Sequence, residues 1–424
     1  MREIVNQRSL LIREPNEVRI LRVVRDSGEI SRVEIAKACD LNKAYVTELV
    51  AKLINAGFLE ETGEVEKNDK VGRKRILLRF LPLAGVVAGI DIGMTHATIA
   101  LTDLNATILQ QETFIYSVDT PAKTVLTKAG DSLQKLLSAA NYNQSKLVGI
   151  GIGVQGLIDY TTNTLIVSHN KKSWEGESLS VELENRFKVP VYVENDVNTM
   201  ALGEYLLGSA KGIKNCVYLF IGDGLGAGIL INGHLHRGFT SSAGEIGFTE
   251  PDPQTYYQEQ FPVLFNNQII LGQILNDSNI VESYLRKVTV DGKQKITVSE
   301  IANKARNGDI VASKIMEECS SLLSMLCINL VNTLNPELII IAGKLSQSFP
   351  PLIEMVQKKI RKDILSVPAE AVRVKASIHG DSGVELGGAS LVLFEMFEPL
   401  HTVSIHASRH HSFIKSKTSK AKAS

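Results

Sequence analysis

The chain has 424 residues, 44% of them apolar, and its 46 basic and 46 acidic side chains cancel. That length calls for two or three domains, and a net charge of zero names no charged partner. Cys39, Cys216, Cys319 and Cys327 form no Cys-x-x-Cys pair, which argues against a disulfide framework or a zinc site and leaves them as buried thiols.

The N-terminus is charged from Arg2 onward and shows no secretory leader. No apolar run reaches the ~18 residues of a membrane span, so a cytoplasmic protein without membrane contact is expected. The charge is unevenly spread. Residues 1–80 hold 16 Lys and Arg against 13 Asp and Glu, and residues 401–424 hold five Lys and Arg with no acid, which leaves the middle acidic.

Along the chain, residues 1–15 read as an arm ending at Pro15, and Asn16 is placed to cap a helix with Val18, Ile20, Leu21 and Val24 on one side. Gly28 ends that helix. Ser31-Arg-Val-Glu34 is a capping box that opens a short helix from Val33 to Cys39. Asp40-Leu-Asn42 is a tight turn, and Asn42 caps a third helix from Lys43 to Ala56, stopped by Gly57. Two helices across such a turn make a helix-turn-helix, which lays the start of its second helix in the major groove. Here that part exposes Lys43, Ala44, Tyr45, Thr47 and Glu48, while Val46, Leu49, Val50 and Leu53 take the buried spacing. Two short strands follow, from Phe58 and from Arg75. The turn between them carries Lys67, Lys70, Arg73 and Lys74, and with Arg75 it makes a basic wing suited to phosphates or a narrow minor groove. The plainer alternative is a protein-interaction module with a solvated hairpin. Capping box, short turn, third helix and basic wing in that order favour double-stranded DNA.

Residues 84–400 alternate strand-like and helix-like runs, the pattern of an α/β fold. Four segments carry chemistry. Gly89-Ile-Asp-Ile-Gly-Met-Thr95 is strand and glycine turn, and Asp91 beside such a turn can hold a Mg2+-bound water while amides meet phosphate. Val148 to Asp159 is a buried strand ending in a glycine-rich loop. Beyond it Asn170 offers a donor and an acceptor to sugar hydroxyls, and Trp174 is read as packing. Val191 to Asn198 delivers Glu194-Asn-Asp196 before a helix. There Asp196 is either a general base on a sugar hydroxyl or simply the helix cap. Val217 to Asn232 is strand, glycine turn (Gly222, Asp223, Gly224) and strand, which lets amides approach a phosphate but is no dinucleotide fingerprint, since no helix follows. Downstream, the apolar helix near Ser313–Leu334 (Ile315, Leu322, Leu323, Leu326, Leu330) is read as core.

These four segments, followed by Ala243-Gly-Glu-Ile-Gly247, resemble the ROK family of repressors, open reading frames and kinases, and the resemblance spans nearly the whole chain. It lies nearest the repressor branch that governs xylose and N-acetylglucosamine use. The resemblance implies a winged helix-turn-helix over 1–80, an actin-like, hexokinase-like body with lobes at 84–195 and 196–400, and a basic tail at 401–424. By motif it implies phosphate loops at Asp91, Gly93 and Thr95 and at Gly222, Asp223 and Gly224, with Gly343 near the nucleoside. Sugar contacts fall at Gly156, Asn170, Asn195, Asp196 and Glu245, with Asp196 at the catalytic-base position of the kinases. Against a working kinase, Met94 replaces a usual glycine, His96 a frequent lysine, Asp223 sets a negative charge beside phosphate, and Phe248 replaces a histidine. Residues 249–270 lack the cysteines of the family's zinc segment.

The resulting expectation is a homodimeric or homotetrameric repressor of sugar-use genes that binds an inverted repeat and is released when a sugar closes the lobes. It needs no cofactor and no zinc. ATP and Mg2+ enter only under the alternative of a sugar kinase with a DNA-binding head. Control by a partner protein is a further alternative.

Overall fold

The computed structural model describes residues 15–65, 75–250, 261–264, 270–288, 296–380 and 383–397. The head comprises α1 (Pro15–Ser27), β1 (Glu29–Ser31), α2 (Arg32–Ala38), α3 (Lys43–Asn55), β2 (Leu59–Val65) and β3 (Arg75–Phe80). Helix α1 begins on Pro15, where a missing N–H costs nothing, so Asn16 lies inside the helix instead of capping it. The Ser31–Glu34 capping box forms in both directions, and the Asn42 side chain accepts the Ala44 N–H at 2.8 Å. Strands β2 and β3 pair antiparallel, as a wing requires. Strand β1 joins the far side of β3. Its three residues are too few to show a period of two, so the sequence does not announce it.

Next come β4 (Val86–Ile92), β5 (His96–Asp103), β6 (Ile108–Ile115), α4 (Ala122–Ala139), β7 (Leu147–Val154), β8 (Leu157–Asp159), β9 (Thr164–Val167), α5 (Val181–Phe187) and β10 (Val191–Asn195). Five of these strands form a sheet in the order β10-β7-β4-β5-β6. The central β4 runs antiparallel to β5 and parallel to β7. Both β4 and β7 are buried along almost their whole length, which explains their continuous apolar sequence. Ile90, Ile99, Ile152, Leu133 and Trp174 share the core beneath them.

The remaining elements are α6 (Asp196–Leu207), β11 (Cys216–Ile221), β12 (Leu225–Ile231), β13 (His234–Leu235), α7 (Leu271–Ile274), α8 (Asp277–Lys287), α9 (Val298–Arg306), α10 (Ile310–Leu334), β14 (Leu338–Ala342), α11 (Lys344–Ser348), α12 (Pro351–Asp363), α13 (Ser366–Ala371), β15 (Arg373–Ala376) and α14 (Gly383–Phe397). Their sheet has the order β13-β12-β11-β14-β15 and repeats the first sheet's plan: central β11 is antiparallel to β12 and parallel to β14. Helix α10 supplies Ile315, Leu322, Leu323, Leu326 and Leu330 to the second core, as expected. All four cysteines are buried.

The described residues fall into two compact units, one running to Glu194 and regaining the chain at Gly388, the other Asn195–Gly387. Helix α14 therefore begins in the second unit and ends in the first, so a second lobe drawn over 196–400 assigns its closing turns to the wrong unit. Within the first unit, a Cβ at Gly388 would come within 2.7 Å of the Gly151 carbonyl oxygen, so helix and sheet meet backbone to backbone. The end of α14 meets the head: Phe397 packs edge-on to Phe80 at 6.2 Å, and the Arg25 guanidinium lies 4.3 Å from its ring centroid. No described helix is long and apolar enough to cross a membrane.

Candidate functional site

The DNA-facing candidates sit where the helical period places them. Lys43, Ala44, Thr47 and Glu48 are exposed and Tyr45 is half-buried, while Val46, Leu49, Val50 and Leu53 are buried. The Thr47 hydroxyl donates to the Lys43 carbonyl at 2.9 Å, and Glu48 pairs with Lys52 at 3.1 Å. Arg75 opens β3 opposite Val65. Arg73 and Lys74 lie outside the described residues.

In the first unit, β4 delivers Asp91 and the turn Gly93-Met-Thr95 leads into β5. His96 sits on this turn. Its Nε2 is 3.4 Å from Asp91 Oδ2, and a Cβ at Gly93 would lie 2.4–2.9 Å from its ring atoms. In this arrangement the imidazole covers the glycine and meets the carboxylate that a metal-bound water would need.

Behind the turn lies a polar group that sequence reasoning missed. The Tyr116 hydroxyl donates to the Gly93 carbonyl at 2.5 Å. Lys171 Nζ donates to the Met94 carbonyl at 3.1 Å and to the Tyr116 oxygen at 2.8 Å. Lys171 is 1% exposed, and burial lowers its pKa to about 8. Burial, with Asp91 adding to it, raises that of Tyr116. Trp174 packs in the core, as expected, and its indole N–H donates to the Thr120 carbonyl at 2.9 Å. Asn170 is exposed and donates to Gln155, next to Gly156, at 3.4 Å. The fold thus brings the Asp91–Thr95 turn, the Gln155-Gly156 loop and the Asn170-Lys171 segment together. No local pattern signals Tyr116 or Lys171, because their partners on the turn are 23 and 77 residues away.

In the second unit, Asn195 is the helix cap: its Oδ1 accepts the Val197 and Asn198 N–H groups at 2.9 and 3.2 Å. Asp196 is the first helical residue, and its carboxylate accepts the Val197 N–H at 2.9 Å. The simple-cap reading of Asp196 is corrected accordingly, and the Asn195 oxygen proposed for a sugar is committed to the helix. The turn Gly222–Gly224 joins β11 to β12, with Asp223 exposed. The Asp277 N–H donates to the Gly222 carbonyl at 2.8 Å, and the Asp277 carboxylate lies 3.5 Å from Lys344 Nζ. Gly343 precedes that lysine with φ +102°, and a Cβ there would lie 1.8 Å from the Ile221 carbonyl oxygen. Three distant segments therefore meet at this turn. Asp277 and Lys344 were missed, although Lys344 directly follows a glycine already singled out. Glu245 is exposed on a loop held to β12 by the Ala227 N–H donating to the Gly244 carbonyl at 2.9 Å. Phe248 is half exposed. Among the described residues no group of three or more His, Cys, Asp or Glu side chains could hold a metal. Most of the segment where the family's zinc site was sought, residues 251–260 and 265–269, lies outside them.

The ROK family model matches residues 87–395 and the MarR family model residues 14–63. The xylose repressor of Caldicellulosiruptor bescii is 30% identical over 396 residues, covering 91% of this chain and 97% of the relative. The DNA-binding transcriptional dual regulator NagC of Escherichia coli is 27% identical, covering 84% of this chain and 86% of its own length. Among solved structures, a ROK family transcriptional regulator described as a homologue of the E. coli MLC protein superposes with a TM-score of 0.77 at 23% identity, covering 91% of this chain and 96% of its own.

Proposed function

The chain belongs to the ROK family, and from that premise we propose that it is a sugar-responsive, DNA-binding transcriptional repressor. The observation that carries this reading is the fusion, in one chain, of a helix-turn-helix with an exposed recognition turn at Lys43–Glu48 and a body whose ligand loops converge within each unit. Two heads, one from each protomer of a homodimer, place the starts of their α3 helices in successive major grooves of an inverted repeat, with the wings over the flanking backbone. Asn170, Asp196 and Glu245 supply the sugar contacts. Sugar binding closes the units, and α14, which starts in the second and ends against Phe80 and Arg25 of the head, carries the change. Release requires that the sugar prefer the state that does not bind DNA, because equal affinity shifts nothing.

Footprinting on the DNA around the protein's own gene tests this, with D-xylose and N-acetyl-D-glucosamine as first effectors. A protected inverted repeat freed by one sugar is the expected result. Protection that no sugar relieves favours control by a partner protein, and no protection sinks the repressor reading. A second reading, sugar phosphorylation, is favoured by Asp196 opening α6 while Asn195 takes the N-cap position. It is opposed by the His96-covered first turn and the exposed Asp223 carboxylate in the second, since phosphoryl transfer depends on charge complementarity in both. Sugar-dependent ATP turnover lost in Asp196→Asn would reverse that ranking.

A further inference from the structure

Lys171 is the most unusual charge in the first unit. It is 1% exposed, and among the described residues no carboxylate pairs with it. An ammonium in that position needs compensation. It finds two oxygen acceptors, the Met94 carbonyl at 3.1 Å and the Tyr116 hydroxyl at 2.8 Å. It also finds two aromatic faces, with Nζ 4.7 Å from the Tyr116 centroid and 4.3 Å from that of Trp174. Those rings stack on each other at 6.4 Å with 21° between their planes. Tyr116 passes the connection on by donating to the Gly93 carbonyl at 2.5 Å.

Two consecutive carbonyls of the glycine turn are thus tied from one side. Because trans peptides are planar, with C=O and N–H opposed, pinning these two carbonyls turns the Met94 and Thr95 N–H groups to the other side of the turn. Neither amide donates to another group among the described residues. The other end of the brace is equally defined. Lys171 follows Asn170, the proposed sugar contact, and its N–H donates to the Ser168 hydroxyl at 3.2 Å.

We propose that Lys171 is a positioning residue: the Lys171–Tyr116–Trp174 brace locks the Gly93–Thr95 turn to the Asn170 segment and so positions Asn170 for the sugar. The part that concerns ligand rests on the repressor reading above; the part that concerns the turn does not.

The test uses the full-length chain, with Lys171→Met as the main variant and Tyr116→Phe as a second that keeps the cation but cuts its link to Gly93. Hydrogen exchange of the turn is read first, since it needs no ligand. The Tyr116 N–H, which donates to the Thr95 carbonyl of the turn at 2.9 Å, is expected to exchange about tenfold faster in both variants, because a local opening that the brace suppresses is released. Melting temperature is expected to hold or rise in Lys171→Met, as apolar replacement of a buried charge often allows. Calorimetry with D-xylose and with N-acetyl-D-glucosamine is then expected to show about tenfold weaker binding in Lys171→Met, the scale of a misplaced contact, with operator affinity in the absence of sugar unchanged. Turn exchange equal to wild type in Tyr116→Phe, or in Lys171→Met if it folds, overturns the brace. A loosened turn with undiminished sugar affinity overturns the positioning role. A loosened turn in a protein whose wild type binds neither sugar supports the brace and refutes the sugar reading.

Discussion

The two glycine turns are near twins in sequence and in topology, yet the fold treats them oppositely. Each joins a central strand to its antiparallel neighbour, β4 to β5 and β11 to β12. The first turn is crowded by side chains: His96 lies over it and the Tyr116–Lys171 pair ties it from behind. At the second turn a Cβ on Gly222 would meet the Phe220 ring and one on Gly224 would meet nothing, but backbone closes in from beside it: Gly343 abuts the Ile221 carbonyl, and the Asp277 N–H reaches the Gly222 carbonyl. Side chains can rotate away and main chain cannot, so similar substitutions at Gly93 and at Gly343 should have very different consequences.

The largest effect is expected from Gly343→Ala. Its φ of +102° suits glycine, and the added Cβ would meet the Ile221 oxygen at 1.8 Å. A loss of about 3 kcal/mol or more follows from strain plus a backbone clash, read as a fall in denaturation midpoint. Gly93→Ala breaks the symmetry: the atoms nearest its Cβ belong to the His96 ring, so a cost of about 1 kcal/mol or less is expected once the ring turns. A Gly93→Ala cost as large as that of Gly343→Ala would mean that His96 is held rigidly over the turn.

The second effect is a pH dependence that belongs to the first turn. The pKa of Lys171 is lowered from 10.5 to about 8 by burial. Between those values the unfolded chain keeps a proton that the folded chain has lost, so stability rises with pH across that window. Below about pH 8 the folded protein carries the full cost of the buried cation. Buried thiols, whose pKa values are raised, act in the opposite direction in both proteins, so the Lys171 contribution is read as the difference between wild type and Lys171→Met, which should change by about 1–3 kcal/mol between denaturant melts at pH 7.5 and 10. Trp174 is the only tryptophan, so its fluorescence should report the same transition near pH 8. A difference between the two proteins that stays constant with pH would remove the buried ammonium from the account.

A smaller effect sharpens the comparison around α6. Asn195→Ala removes the cap that satisfies the Val197 and Asn198 amides and should cost about 1 kcal/mol. Asp196→Asn should change stability by less than about 0.5 kcal/mol. The reverse order in thermal melts would return the cap role to Asp196. The smallest effect is Gly224→Ala, which meets nothing within 4 Å and should stay within about 0.5 kcal/mol of the wild type by the same measurement.

What could be read beforehand divides along the range of the forces involved. The head was legible almost residue by residue, because caps, turns and helical periodicity act between neighbours. Ser31 and Glu34, Asn42 and the buried face Val46, Leu49, Val50 and Leu53 are all set within a few positions of each other. The same locality revealed the strand–turn–strand segments of the body, the packing of Trp174 and the burial of α10. Asn195 shows where local reading reached its limit: two adjacent polar residues before a helix can each cap it, and only the backbone path into α6 decides between them. The brace beneath Gly93, the Asp277–Lys344 pair beside Gly222 and the return of α14 to the head were decided by tertiary structure alone. Their partners are far apart in the chain. Burying a lysine, or tying two successive carbonyls to a tyrosine and a lysine, is favourable only after the sheet has brought those groups within reach, and no local spacing encodes that.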